Sequence, residues 1–295
     1  MIYDIRLRIL HRYQQPAGVS RHMVRVLPRS DGKMQRLTAQ LIEILPLPNE
    51  RFEIADFFSN RVTSAAHFFA HKEMEIRMSC RVVVYAPPEF TDTSASTADL
   101  AGELAGVVDM GPESPMHFLG PSPLLLASSE IEAFAHASVD PFGSTAGQVI
   151  QLGQALHSAM RFDAQATTVE TDPLDAFRQR GGVCQDFSHI MILGLRALGI
   201  PAGYVSGYLR TLPPPGAPRL EGADAMHAWV RAWCGASQGW IEYDPTNATL
   251  ASTDHIVVGY GRDYSDVSPV IGNLRSSGGQ KNEQSVDVKP VEPGQ

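Results

Sequence analysis

The first part of the chain alternates apolar and polar residues as strands do. Ile5-Arg6-Leu7-Arg8-Ile9 steps with a period of two, and Arg77-Met78-Ser79-Cys80-Arg81-Val82-Val83-Val84-Tyr85 alternates and then runs β-branched. Each pattern offers one face to a core. Ser30-Asp31-Gly32-Lys33 and Pro46-Leu47-Pro48-Asn49 supply turns, because these residue types favour tight backbone reversals. Short strands at this spacing, with no helical stripe between them, predict a small β-sandwich-like domain.

From Pro87 to about Pro123 the composition shifts to Ser, Thr, Ala, Gly and Pro, as in Thr91-Asp92-Thr93-Ser94-Ala95-Ser96-Thr97, and reads as a linker. A helical period then takes over. Ser128-Ser129-Glu130 opens a helix with cap residues, and Val149, Leu152, Leu156 and Met160 recur at three- and four-residue steps. Phe187, Ile190, Met191, Leu195 and Leu198 form a further stripe with apolar residues on its other faces, so this helix is predicted to be buried around most of its circumference; Gly199 and Pro201 stop it. Beyond about residue 202 the strand pattern returns. Helices followed by strands, without βαβ repeats, predict an α+β second domain. The domain expectations are a β-rich region over 1–110, a catalytic-type domain over 111–275 and, because residues 276–295 hold almost no large apolar side chains, a disordered tail.

Composition narrows the function. A length of 295 residues suggests about two domains, and 43% hydrophobic with 19% charged residues suffices for packed cores. The formal charge of −8 lacks the basic footprint that phosphate backbones demand, so nucleic acid is not the expected partner. No apolar stretch reaches the roughly 18 residues of a membrane helix, so no membrane partner is expected. Met1-Ile2-Tyr3-Asp4-Ile5-Arg6-Leu7-Arg8 mixes charge into its apolar residues, unlike the core of a signal peptide. Cys80, Cys184 and Cys234 are three, with no paired spacing, which indicates neither a disulfide framework nor a CxxC metal site. The expected setting is cytoplasmic and reducing, where a free thiol can act as a nucleophile.

Cys184 falls in the first turn of the buried helix, behind Gly181-Gly182. Unpaired N–H groups and the positive end of the helix dipole stabilise an anion there. Asp186, in the same turn, works against a thiolate, so a cationic partner is needed. Ala225-Met226-His227-Ala228-Trp229-Val230-Arg231-Ala232-Trp233-Cys234 puts His227, Trp229, Arg231 and Trp233 on one strand face, and Trp240, Glu242 and Asp244 share a face of the next strand. A hairpin loop of four residues, with Cys234 facing Gly239, sets Trp229 opposite Asp244 and His227 diagonal to it. A six-residue loop makes His227 and Asp244 direct neighbours, and an odd loop separates them. Either even register lets Asp244 accept from one ring nitrogen of His227 while the other takes the Cys184 proton.

Gly-Gly-Val-Cys184-Gln-Asp-Phe, Arg196-Ala-Leu-Gly-Ile-Pro-Ala-Gly-Tyr204, Asp224-Ala-Met-His227-Ala-Trp229, Trp240-Ile-Glu-Tyr-Asp244-Pro-Thr-Asn247 and His255 through Asp266 resemble, in order, the bacterial transglutaminase-like superfamily. The resemblance covers roughly 145–272, and the β-rich start resembles the domain preceding this core in bacterial members. It implies a papain-like α+β core, with Cys184, His227 and Asp244 as nucleophile, base and orienting acid. No metal or organic cofactor is implied. The expected reaction is acyl transfer on a peptide or amide-bearing substrate, with hydrolysis favoured over amine transfer (a protein-glutamine transglutaminase) and over a non-catalytic peptide-binding module.

The oxyanion donor is left open among the Cys184 N–H and the side chains of Gln165, Gln185 and Tyr204. Trp229 is either a packing residue or a wall of the substrate groove. Arg262-Asp263-Tyr264 is either a surface turn or a lining of the cleft. His189 lies five positions along the helix from Cys184, about 140° around it, and points away. Cys80 and Cys234 read as buried small hydrophobes, and a zinc site of Cys184, His227 and Cys234 is not expected because Cys234 points to the strand face opposite His227. His67 and His71 are four apart, a metal-ligand spacing on a helix, but their strand-like flanks make exposed or turn histidines the expectation. Oligomeric state is not legible.

Overall fold

The computed structural model describes residues 1–211, 224–275 and 278–291. Its first six strands are β1 (Ile2–Ala17), β2 (Ser20–Val24), β3 (Gln35–Leu45), β4 (Glu50–Ala55), β5 (Arg61–His67) and β6 (His71–Val84). There follow α1 (Thr97–Ala105), α2 (Ser129–Ser138), α3 (Thr145–Ala159), β7 (Arg161–Phe162), α4 (Pro173–Gln179), β8 (Gly181–Gly182) and α5 (Cys184–Ala197). The rest is β9 (Ala202–Leu209), β10 (Ala225–Trp233), β11 (Trp240–Asp244), β12 (Thr249–Leu250), β13 (His255–Gly261), α6 (Tyr264–Val267), β14 (Val270–Leu274) and β15 (Gln280–Pro290). The fold is α+β, with a region of N-terminal sheets ahead of a helix-and-sheet core.

Two four-stranded sheets, ordered β15-β1-β6-β3 and β14-β2-β5-β4, make up the first region. Tyr3, Ile5, Leu7, Ile9 and Tyr13 alternate into the shared core with Met74, Ile76, Met78 and Cys80 of β6. The expected disordered tail is corrected here. Gln280–Pro290 pairs antiparallel with β1, and Val286 and Val288 come to lie opposite Leu7 and Ile5, buried at 1% and 0% exposure. An edge strand with one solvated face needs few apolar side chains, which is why a polar composition concealed it. Residues 276–277 and 292–295 of that expectation lie outside the described residues. The linker also holds structure: α1 starts at Ser96, whose hydroxyl accepts the Asp99 N–H, and Ala95 N–H bonds the Cys234 carbonyl.

The second region has a five-stranded sheet ordered β12-β11-β10-β9-β13. Helix α5 is buried from Gln185 through Leu195. It packs with Val149, Leu152 and Leu156 of α3 and with Ala228, Val230 and Ala232 of β10 in one core. Gly199 takes a left-handed φ of 77° and bonds back to the Arg196 carbonyl, the turn that ends a helix where other residues are strained. The opposite side of the sheet rests on the sandwich: Tyr208, Ile256 and Val258 join its core, and the Tyr208 hydroxyl donates to the Val26 carbonyl at 2.6 Å. Gln35 bonds both the N–H and the C=O of Val257, at 2.9 and 2.7 Å. The sandwich thereby braces β13, which begins at His255.

No helix among the described residues is long and apolar enough to cross a membrane.

Candidate active site

The β10–β11 hairpin adopts the four-residue loop. Trp233 pairs with Trp240 and Val230 with Tyr243, and the Cys234 N–H closes on the Gly239 carbonyl at 2.8 Å. His227 is therefore diagonal to Asp244, and His227 Nε2 meets Asp244 Oδ2 at 2.7 Å. The remaining ring nitrogen, Nδ1, is not engaged by Asp244, and the Cys184 side chain acts electrostatically on the same imidazole. Gly207 faces His227 across β9; a Cβ there would meet the Ile256 carbonyl oxygen and the Trp229 ring at 2.3 Å, so this row of the sheet closes only on bare backbone.

Asp244 is fully buried yet has donors all around it. Oδ2 accepts from His227, from His255 Nε2 at 3.2 Å and from Asn247 Nδ2 at 2.7 Å. Oδ1 accepts the N–H groups of Thr246 and Asn247 at 2.9 and 3.1 Å. Burial alone would raise its pKa; the hydrogen bonds from His227 and His255 outweigh it and hold the carboxyl below the ordinary range. Burial likewise pushes His227 down, but the hydrogen bond to Asp244 and the influence of the neighbouring Cys184 prevail and raise it to about 10. An imidazolium at neutral pH follows. His255 Nδ1 accepts the Ser252 N–H at 3.1 Å, so its Nε2 carries the proton donated to Asp244.

Trp229 is a packing residue. It is fully buried, which rules out a groove wall, and its ring lies behind His227, stacked at 6.1 Å and 28°. Its Nε1 donates to Glu242 at 2.7 Å, and Glu242 also accepts the Tyr260 hydroxyl at 2.6 Å.

At the helix start, Asp186 accepts the Val183 N–H at 2.7 Å and the Thr167 hydroxyl at 2.6 Å. A Cβ on Gly182 would sit 2.5 Å from its carboxylate, which explains the glycine ahead of Cys184. Burial raises the Asp186 pKa, lessening its opposition to a nearby anion. Cys184 is half-buried, whereas Cys80 and Cys234 are buried; burial pushes the Cys80 thiol up to about 12 and raises that of Cys234 as well.

The other expected site residues divide. Tyr204 is buried and in electrostatic contact with Cys184, its ring 5.2 Å from His189 and 6.1 Å from Tyr264. Gln185 turns its amide to the Val169 carbonyl at 3.1 Å, which engages its donor away from the thiol. Gln165 is exposed, and its backbone N–H is held by Asp163; no hydrogen bond ties its side chain to the site. Asp263 is buried as the cap of α6. Its carboxylate accepts the N–H groups of Leu124 and Ser265, so it anchors a turn rather than lining the cleft. The Tyr264 N–H donates to His189 Nε2 at 3.2 Å, and burial lowers His189 to about 4, leaving it neutral. A cavity of about 200 Å³ adjoins the helix start, lined by Leu124, Leu126, Val169, Glu170, Gln185 and His189 among others.

Sequence reasoning missed His255, Asn247 and Glu242 as parts of the site. His255 reaches Asp244 only through the β13-β9-β10-β11 order, which is a long-range property. A polar residue opening an otherwise apolar strand was the one available sign.

Comparison with known proteins identifies the family. Residues 133–245 match the transglutaminase-like superfamily and residues 3–83 the bacterial transglutaminase-like N-terminal region. An uncharacterized protein of Mycobacterium tuberculosis is 32% identical, covering 98% of this chain and 93% of its own. A protein-glutamine gamma-glutamyltransferase of Pseudomonas aeruginosa is 36% identical over 93 residues, which is 30% of this chain and 14% of that protein. A crystal structure of a Cytophaga hutchinsonii protein, provisionally described as a cysteine protease, shares the fold with a TM-score of 0.74 at 20% identity, covering 99% of this chain and 91% of that one. The chain belongs to the transglutaminase-like superfamily. This membership supports an enzyme that works through a thiol.

Proposed function

We propose that the protein transfers acyl groups from a peptide or carboxamide substrate, with Cys184 as nucleophile, His227 as proton carrier and Asp244 as the carboxylate that orients it. The supporting observation is the hydrogen bond from His227 to the buried, ionised Asp244, together with the electrostatic coupling of the same imidazole to Cys184. The Cys184 thiolate attacks the carbonyl carbon, and the C=O electron pair moves to oxygen. That oxyanion forms beside the Cys184 N–H at the start of α5, since the N–H groups of Asp186 and Phe187 already bond the Val183 carbonyl, and near Tyr204. As the tetrahedral intermediate collapses, the C–N bond breaks and the amine leaves with the His227 proton. A thioester remains on Cys184. Water, giving its proton to His227, then releases the acid and restores the thiolate.

Hydrolysis is the preferred outcome because it needs no second specific site. Amine transfer is the second reading, favoured by the glutamyltransferase name of the Pseudomonas relative. Incubation of a glutamine-containing peptide with a labelled primary amine separates them. Ammonia release with little label incorporation supports hydrolysis; predominant incorporation overturns it. A Cys184 that is inert to iodoacetamide, together with no turnover, points to a peptide-binding module instead.

A further inference from the structure

The sandwich holds four histidines for which the proposed chemistry has no use. His67 and His71 are 0% and 7% exposed, which corrects the expectation of exposed or turn residues. The physical reason is topological: β5 and β6 are inner strands of the two facing sheets, and these residues close one strand and open the other. His22 of β2 and His11 of β1 stand beside them. The His67 and His71 rings lie 4.8 Å apart, His22 and His67 6.5 Å apart, and His22 is in electrostatic contact with all three others.

Each of three rings is held from outside through one nitrogen. His67 Nε2 donates to the Pro46 carbonyl at 2.8 Å, His71 Nδ1 donates to the Phe69 carbonyl at 3.1 Å, and His11 Nδ1 pairs with the Asn282 side-chain oxygen at 2.8 Å. A carbonyl oxygen only accepts, so the opposite nitrogen of each ring bears a lone pair. Those atoms, His67 Nδ1, His71 Nε2 and His11 Nε2, are buried without a partner, as is His22 Nδ1. Four unpartnered buried ring nitrogens in one cluster are a costly arrangement unless something fills it. An imidazole with its far N–H fixed by a carbonyl is also the form in which histidine ligates metal. On β14, a Cβ at Gly272 would come within 2.3 Å of the His22 ring, so bare backbone there gives that ring its seat.

We propose that His11, His22, His67 and His71 form a binding site for a divalent transition ion of the zinc class, which clamps the two sheets together. Nitrogen donors of this number suit zinc, copper or nickel over the oxygen-seeking calcium and magnesium. As placed, no three His, Cys, Asp or Glu side chains among the described residues could hold a metal ion, so the site forms only when the rings reorient. The His67–His71 pair is the prearranged half, and His22 and His11 complete the set by turning their rings toward it.

The test uses full-length Cys184→Ala protein, so that the thiol cannot ligate, titrated with Co²⁺. One equivalent taken up with intense visible d–d bands, displaced by Zn²⁺ and accompanied by a higher Tm with Zn²⁺, is the expected result. His67→Gln/His71→Gln, checked for folding by circular dichroism, should abolish the bands, and His22→Gln should weaken uptake at least tenfold. The exposed control His136→Gln should leave it unchanged. Absence of saturable Co²⁺ uptake by the folded parent, or uptake unaltered by His22→Gln, overturns the proposal.

Discussion

The protein buries histidines in two places with opposite results. Around Asp244, His227 is raised to about 10; in the sandwich, His22 falls to about 4. Burial is the largest influence on both and acts downward on both. What differs is the neighbour: a carboxylate with its own set of donors in one case, other imidazoles in the other. Burial makes neutral histidine the default, and a buried anion that is itself stabilised reverses it. His189 follows the default and falls to about 4: burial is the largest influence, and the upward pull of Asp263, which makes no hydrogen bond to the ring, is opposed by Arg196.

Asp244→Asn strikes this contrast hardest. An amide cannot serve all of the N–H donors at that position, so His227 should lose its favoured tautomer and its charge. Turnover is expected to fall by about 10⁴-fold, with the His227 imidazole signal in NMR titrating at or below 6.5, the ordinary value for histidine. An imidazolium persisting at pH 8 in this variant would break the explanation. His255→Phe is milder, because it removes one charge-assisted bond worth roughly 1.5–3 kcal/mol. A loss of about 10- to 100-fold in kcat/KM is expected, with His227 still charged at neutral pH.

The two regions should also part company in pH-dependent unfolding. The folded pKa of His227 lies above its unfolded value of 6.5, so its stabilisation is complete below pH 6.5 and is lost as pH rises through about 10. Asp244 lies below its ordinary 3.8, so its contribution is present above that value and lost as pH falls below it. His22 has a folded value of about 4 against 6.5 unfolded, so stability is full above pH 6.5 and declines as pH drops towards 4. The loss there is about 3 kcal/mol. Urea unfolding followed across pH 7 to 4.5 should show a decline that His22→Phe reduces and His255→Phe does not. The smallest expected effect is that of Trp229→Phe. It keeps a ring behind His227 but leaves Glu242 without one donor, for a severalfold drop in kcat and a destabilisation of about 1–2 kcal/mol.

Local patterns made much of this legible. The α5 stripe, the Ser128 cap and the hairpin register all follow from residues near one another in sequence, and that register brings His227 to Asp244. Gln280–Pro290 was not legible, because two valines in a polar run acquire meaning only opposite Leu7 and Ile5. His255 was missed, and His67 and His71 were noted but expected to be exposed or in a turn, for the same reason: strand order, a long-range property, decides what they face. Trp229 and Asp263 were legible as important positions but not as buried braces, since a strand pattern gives a face and not its depth.

The central claim is that the thiol of Cys184, served by His227 and Asp244, carries the acyl group. Rapid quenching of the protein with a peptide amide substrate, followed by mass spectrometry of the acid-stabilised digest, tests it most directly. A thioester confined to Cys184, absent in His227→Ala, is the predicted result. Turnover with an unmodified Cys184, or an acyl group on any other residue, would contradict it.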